Sequence, residues 1–126
     1  MMTEFISVVI GGAVGSGLRY LLSAAVPTSP DGFPWATFAV NITGSFVLGI
    51  LSGLAVKSDV LSRTSLLLLG TGLCGGFTTF SALSMEGIAL MEAGHLWLAA
   101  SYLGGSLVGG LAAAALGIGA VRITLS

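Results

Sequence analysis

The sequence has 126 residues, of which 55% are hydrophobic and 7% are charged. A water-soluble domain needs about a quarter charged residues to cover its surface, so this composition excludes a soluble protein and makes lipid the solvent. The net charge of −1 excludes a nucleic-acid-binding surface, which requires a basic patch.

Four segments are apolar over the roughly 20 residues that a helix needs to cross a bilayer. They cover about residues 5–26, 33–56, 64–91 and 95–120. The first contains a single arginine, Arg19, and no basic residue precedes it, so it is interpreted as a mature span and not as a cleaved signal. The sequence therefore predicts an all-α integral membrane protein with one domain over residues 1–126, and Ser62 is expected to cap the third helix.

The basic loop residues suggest an orientation. Lys57, Arg63 and Arg122 lie on the side of the two termini, and the loops of the other side contain no lysine or arginine. The positive-inside rule then favours cytoplasmic termini. A protein with so few orienting charges is also compatible with insertion in both directions.

Small residues recur at four-residue spacing in three of the helices, and such seams let helix backbones touch. They are Gly11 and Gly15, then Ser45, Gly49 and Gly53, and finally Ser101, Gly105, Gly109, Ala113 and Gly117. Packing within the chain is sufficient to explain them. Because three such faces exceed the needs of one small bundle, we also expect a homodimer.

Polar residues form two stripes in otherwise apolar helices: Thr37 and Asn41 in the second, Tyr102 and Ser106 in the fourth. A structural hydrogen bond between two helices would be sufficient to explain either pair alone. The third helix, however, carries four glycines and three threonines between Gly70 and Ser81, which favours an interrupted helix over an intact one with a packed glycine face. Irregular backbone at membrane depth is tolerated where it lines a cavity, so the stripes and the break together predict a hydrated path.

Other functions have weaker support. No residue set resembles a nucleophile with its base or a metal-binding cluster, so the chain is not expected to be an enzyme. A proton-coupled multidrug exporter requires a carboxylate deep in the membrane, whereas Glu86 lies near a helix end, where it either snorkels to the interface or lines a vestibule. A non-conducting membrane assembly subunit is the remaining alternative.

Three stretches together carry a family resemblance: GGAVGSGLRY at 11–20, TFAVNITGSF at 37–46 and GGFTTFS at 75–81. In this order and at this chain length they resemble the signatures of the Fluc (CrcB) family of small fluoride channels, over nearly the whole chain. The resemblance implies a fluoride exporter of the bacterial plasma (inner) membrane that relieves fluoride toxicity. It also implies a dual-topology antiparallel homodimer with two pores, and a structural sodium ion held by backbone carbonyls of Gly75 and Thr78 from both subunits.

The resemblance also implies roles for individual side chains. Arg19 and Glu86 match vestibule residues, and the fluoride pathway matches Thr37, Asn41, Thr79, Phe80, Ser81, Tyr102 and Ser106. Phe80 matches the first of two paired phenylalanines, whose positive ring edge favours an anion. This chain departs from the pattern at Leu83, where the second phenylalanine falls, and at Ala82 and Gly110, where polar residues can occur. Either one ring suffices, or conduction is slower, or a paralogue completes a heterodimer.

Overall fold

The computed structural model describes residues 1–126 and contains helices without any strand. The helices are α1 (Met2–Ala25), α2 (Trp35–Lys57), α3 (Arg63–Leu66), a π-helix (Leu67–Cys74), α4 (Gly75–Phe77), α5 (Phe80–Glu92) and α6 (Leu96–Thr124). Four units are long and apolar enough to cross a membrane, because the helices between Arg63 and Glu92 together make up the third span. The predicted all-α fold with four spans is confirmed, and the chain is a multi-pass membrane protein.

Side-chain caps and one glycine set the helix boundaries of the third span. The Ser62 hydroxyl accepts a hydrogen bond from the Ser65 amide at 3.1 Å, which confirms the expected cap. Thr79 caps α5 in the same way, accepting from the Ala82 amide at 3.1 Å. Gly94 has a positive φ of 86°, a conformation that glycine adopts without steric cost. It reverses the chain between α5 and α6.

The second and fourth spans pack along each other through their small residues. A Cβ atom on Gly49 would collide with the backbone of Ala114, and one on Gly117 would collide with the Phe46 carbonyl. Gly109 faces the side chain of Ile42 in the same interface. The seams of α2 and α6 are therefore used against each other within one protomer.

The small residues of α1, Gly11 and Gly15, also pack against another helix of the same chain. A Cβ atom on Gly15 would meet the carbonyl oxygen of Leu73, and one on Gly11 would meet that of Leu68. Both carbonyls belong to the π-helix, so α1 lies against the third span with backbone touching backbone. Packing within the chain is therefore sufficient to explain the seams, as the sequence allowed, and the expected homodimer stays a prediction that needs other support.

Gly15→Ala is expected to destabilise the fold, since the new methyl group would overlap backbone atoms that cannot rotate away. Overpacking of this kind costs about 1–3 kcal/mol. Gly17→Ala on the same helix is the matched control, because a methyl group at Gly17 would meet no other atom within 4 Å. Thermal unfolding in detergent should show a clearly lower midpoint for Gly15→Ala alone. Equal midpoints for the two variants would contradict the close packing of α1.

The π-helix is a feature that the sequence did not reveal. It covers eight residues, Leu67–Cys74, and buries Gly70, Gly72 and Cys74. π-Helical segments are rare in proteins, and those that occur often lie at functional sites. Here only the three residues of α4 separate the π-helix from the non-helical residues of the third span, so two departures from α-helical geometry lie close together.

Candidate ion pathway

Two residues between α4 and α5 have extended backbone. Thr78 has φ −78° and ψ 156°, and Thr79 has φ −151° and ψ 117°. Asn41 on α2 binds this segment at two points. Its Oδ1 accepts from the Thr79 amide at 2.8 Å, and its Nδ2 donates to the Thr79 carbonyl at 3.1 Å.

These two hydrogen bonds fix the orientation of the Asn41 amide. The oxygen must face the Thr79 N–H, and the nitrogen must face the Thr79 carbonyl. An amide nitrogen carries two hydrogens, so one N–H donor remains after the bond to Thr79. The Thr79 carbonyl is the single acceptor that the fold gives this nitrogen, and Asn41 also lines the cavity described below.

The extended segment releases backbone carbonyls from helical hydrogen bonds. In a continuous α-helix the Thr79 amide would donate to the Gly75 carbonyl, but here it donates to Asn41. The Ala82 amide would donate to the Thr78 carbonyl, but it donates to the Thr79 hydroxyl. Gly75 and Thr78 therefore lose the donors that an unbroken helix would supply.

A third carbonyl at this point has partners from α1. The Gly76 oxygen accepts from Arg19 Nε at 3.2 Å and from the Ser16 hydroxyl at 3.4 Å. Arg19 is partly buried, and it supports the end of α4. The sequence placed Arg19 in a vestibule and gave no sign of this carbonyl contact, because the two residues are far apart in the chain.

A cavity of about 580 Å³ opens beside the extended segment, between α2, α5 and α6. Its polar lining is Asn41, Ser45, Thr78, Thr79 and Ser106. The sequence assigned Ser45 to a packing seam, although its four-residue spacing from Asn41 places it on the same face. The remaining lining is largely apolar and includes the side chains of Phe80 and Leu83.

Phe80 is an exposed member of the predicted pathway. It lines the cavity, yet 80% of the residue is exposed on the protomer. Leu83 borders the same cavity, so the positions that match the paired phenylalanines lie together in this fold. Ser81 lies next to the extended segment, with its hydroxyl 3.2 Å from the Thr79 hydroxyl.

Three further polar residues, and Ser106 of the cavity lining, lie on α2, α5 and α6. Thr37 is buried and donates to the Glu86 carboxylate at 2.7 Å, so the acid is held against α2 and is not free at a helix end. The hydroxyls of Tyr102 and Ser106 are buried without a hydrogen-bond partner. Phe33 packs edge-on against the Tyr102 ring, with centroids 5.3 Å apart.

Comparison with known proteins gives the family. Residues 6–118 match the family described as CrcB-like protein, Camphor Resistance (CrcB). A protein of Chlorobaculum tepidum named fluoride-specific ion channel FluC is 51% identical over 112 residues, 89% of each chain. FluC of Chlorobium luteolum is 48% identical over 89% of this chain and 87% of its own. FluC 2 of Nocardia farcinica is 44% identical over 93% and 84%. The family is one of channels and not of enzymes, and this chain belongs to the CrcB family.

Proposed function

We propose that the chain is a fluoride-selective ion channel. The observation that carries the proposal is a series of hydrogen-bond donors without protein acceptors. These are the second N–H of Asn41 and the buried hydroxyls of Ser106 and Tyr102. A buried polar group left unpaired costs about 1–3 kcal/mol. An anion in the cavity would accept hydrogen bonds from Asn41 and Ser106, the two of these groups that line it, and would remove that cost for them.

The donors are neutral, and this suits conduction. A fixed lysine or arginine would hold a small anion too tightly to release it, whereas a channel needs sites that bind moderately. Phe80 adds a ring whose edge carries partial positive charge and attracts an anion without a formal charge. Together these groups replace part of the water that fluoride sheds on entering.

A second copy of the chain explains the open side of the cavity. Phe80 is exposed on the protomer although it lies at the pathway. In an antiparallel homodimer with dual topology, the partner would cover this face and each protomer would contribute one pore. A heterodimer with an oppositely oriented paralogue is the alternative, and it would place the partner's aromatic residues beside Leu83.

The freed carbonyls of Gly75 and Thr78 fit a structural sodium ion. Carbonyl oxygens of interrupted helices are common ligands of sodium in membrane proteins. One protomer offers two of these oxygens, which cannot enclose a cation, so the symmetric pair from a second copy would complete the site. When bound, the ion would supply a fixed positive charge at the contact between the two extended segments.

Sodium removal is therefore expected to weaken the dimer. Protein purified in sodium-free buffer with N-methylglucamine as the cation should elute partly as monomer, and sodium chloride should restore the dimer. N-methylglucamine is the control for ionic strength, since it is too large to fit between backbone carbonyls. An unchanged elution profile in both buffers would argue against the sodium site.

We further propose the bacterial plasma membrane as the location and outward flux as the physiological direction. An inside-negative potential favours anion exit by about 2.3 kcal/mol per 100 mV. Expression in a fluoride-sensitive bacterial strain should restore growth on fluoride medium. Growth no better than with the empty vector, despite correct membrane insertion, would contradict the function.

Two other functions give different results in liposomes. A proton-coupled exporter would use Glu86, the acid bound by Thr37, and its flux would follow an imposed pH gradient. Fluoride efflux through a channel should follow the membrane potential and persist without a pH gradient. A non-conducting assembly subunit would show no fluoride flux under either condition.

A further inference from the structure

A second, smaller cavity lies between the final turns of α2 and α6. It has a volume of about 130 Å³ and is lined by Ser52, Gly53, Val56, Lys57, Ile118 and Arg122. Helices α2 and α6 are the second and fourth spans, so both end on the side of the chain termini. The cavity therefore lies where the apolar part of the molecule meets water, away from Asn41 and Phe80.

Lys57 and Arg122 in this cavity have no acidic partner. The ion pairs of the chain are Arg63 with Glu4 at 2.8 Å and His95 with Asp31 at 2.9 Å. No carboxylate lines the cavity. Two positive charges that share a small space repel each other, and an anion between them would remove this repulsion.

The other walls of the cavity identify the kind of anion. Val56 and Ile118 form an apolar wall beside the two charges. The nearby surface is also apolar, since Val56 is 84% exposed and Ile123 is 81% exposed. A free inorganic anion gains nothing from contact with an apolar surface. A phospholipid carries its phosphate directly above its acyl chains, so it can contact the two charges and the apolar surface together.

We propose that this cavity binds the headgroup phosphate of an anionic membrane phospholipid, with Lys57 and Arg122 as the ligands. Basic pockets between transmembrane helices at the membrane surface bind anionic headgroups in this way. The Ser52 hydroxyl in the cavity wall supplies an additional donor. The site is separate from the ion pathway and does not depend on the transported ion.

The proposal is tested by lipid binding to the delipidated protein. Native mass spectrometry would compare phosphatidylglycerol with phosphatidylcholine for the native chain and for the double variant Lys57→Gln/Arg122→Gln. Each basic residue near the surface contributes about 5-fold in affinity for anionic lipid, so the double variant should bind phosphatidylglycerol about 25-fold more weakly. Arg63→Gln is the matched control, because Arg63 lies on the same side but pairs with Glu4.

The outcomes distinguish a lipid phosphate from free inorganic phosphate, and loss of the binding site from loss of folding. Inorganic phosphate at equal concentration should not displace phosphatidylglycerol; displacement would show a free-anion site and overturn the lipid assignment. Equal lipid binding by the double variant and by Arg63→Gln would also overturn it. The two single variants replace the double variant if it fails to fold. Since no step measures fluoride, a failed fluoride channel and a failed lipid site give different results.

Discussion

Replacing Phe80 by isoleucine is expected to lower fluoride efflux from proteoliposomes by about 5- to 13-fold while the protein stays folded. The loss corresponds to one aromatic contact with an anion, about 1–1.5 kcal/mol. Because 80% of Phe80 is exposed on the single chain, the substitution removes little packing within that chain. Leu83 in the second aromatic position has no ring to compensate, so this chain should be unusually sensitive at Phe80.

Phe5→Ile is the matched control for this substitution. Phe5 is also well exposed, at 63%, but it lies in α1 and does not line the cavity. Both variants should elute as the native protein does, and only Phe80→Ile should lose fluoride efflux. Equal efflux from the two variants would show that the Phe80 ring takes no part in conduction.

Asn41→Asp is expected to reduce fluoride efflux by about a hundredfold or more. The carboxylate can accept from the Thr79 amide as Asn41 does, but it cannot donate to the Thr79 carbonyl. Leaving that carbonyl unpaired costs about 1–3 kcal/mol. The new negative charge also faces the cavity and repels an anion, so structure and conduction are affected together.

Two further substitutions separate these effects. Asn41→Ala removes the hydrogen bonds without adding a charge, and it should lower both the unfolding midpoint and the efflux. Thr43→Ala changes an exposed hydroxyl on the same helix and should alter neither. Native efflux from Asn41→Ala would show that the contact with Thr79 is dispensable for the pathway.

Local sequence patterns predicted the spans and the faces of the helices well. The four apolar stretches, the Ser62 cap and the shared face of Thr37 and Asn41 depend on neighbouring residues, so periodicity and composition are sufficient to predict them. The glycine-rich stretch likewise drew attention to the part of the third span where Thr78 and Thr79 are extended.

Partners between distant residues could not be predicted in the same way. Periodicity shows that Asn41 and Thr37 share a face, but it does not show that one meets Thr79 and the other Glu86. The contact between Arg19 and the Gly76 carbonyl depends on how closely α1 approaches the third span. That approach follows from two sets of glycines in contact, and only the fold brings them together.

The π-helix was missed, and the sequence left the partner of the glycine seams open between the same chain and a second copy. A four-residue spacing of small residues indicates close packing without identifying the partner, so the seams suggested a second copy. In the fold they meet α2, α6 and the π-helix of the same chain. The exposed Phe80 and the open cavity, and not the seams, are therefore the features that favour a dimer.

The most direct test of the channel assignment is fluoride efflux from proteoliposomes that contain the purified chain alone, with chloride as the control ion. A potassium gradient with valinomycin sets the membrane potential, and an ion-selective electrode records the release. Rapid, fluoride-selective efflux is the predicted result, and it would also show that a homodimer with Leu83 is sufficient. Equal release of chloride would contradict the channel assignment, and no release from protein that is folded and dimeric would contradict a conducting homodimer.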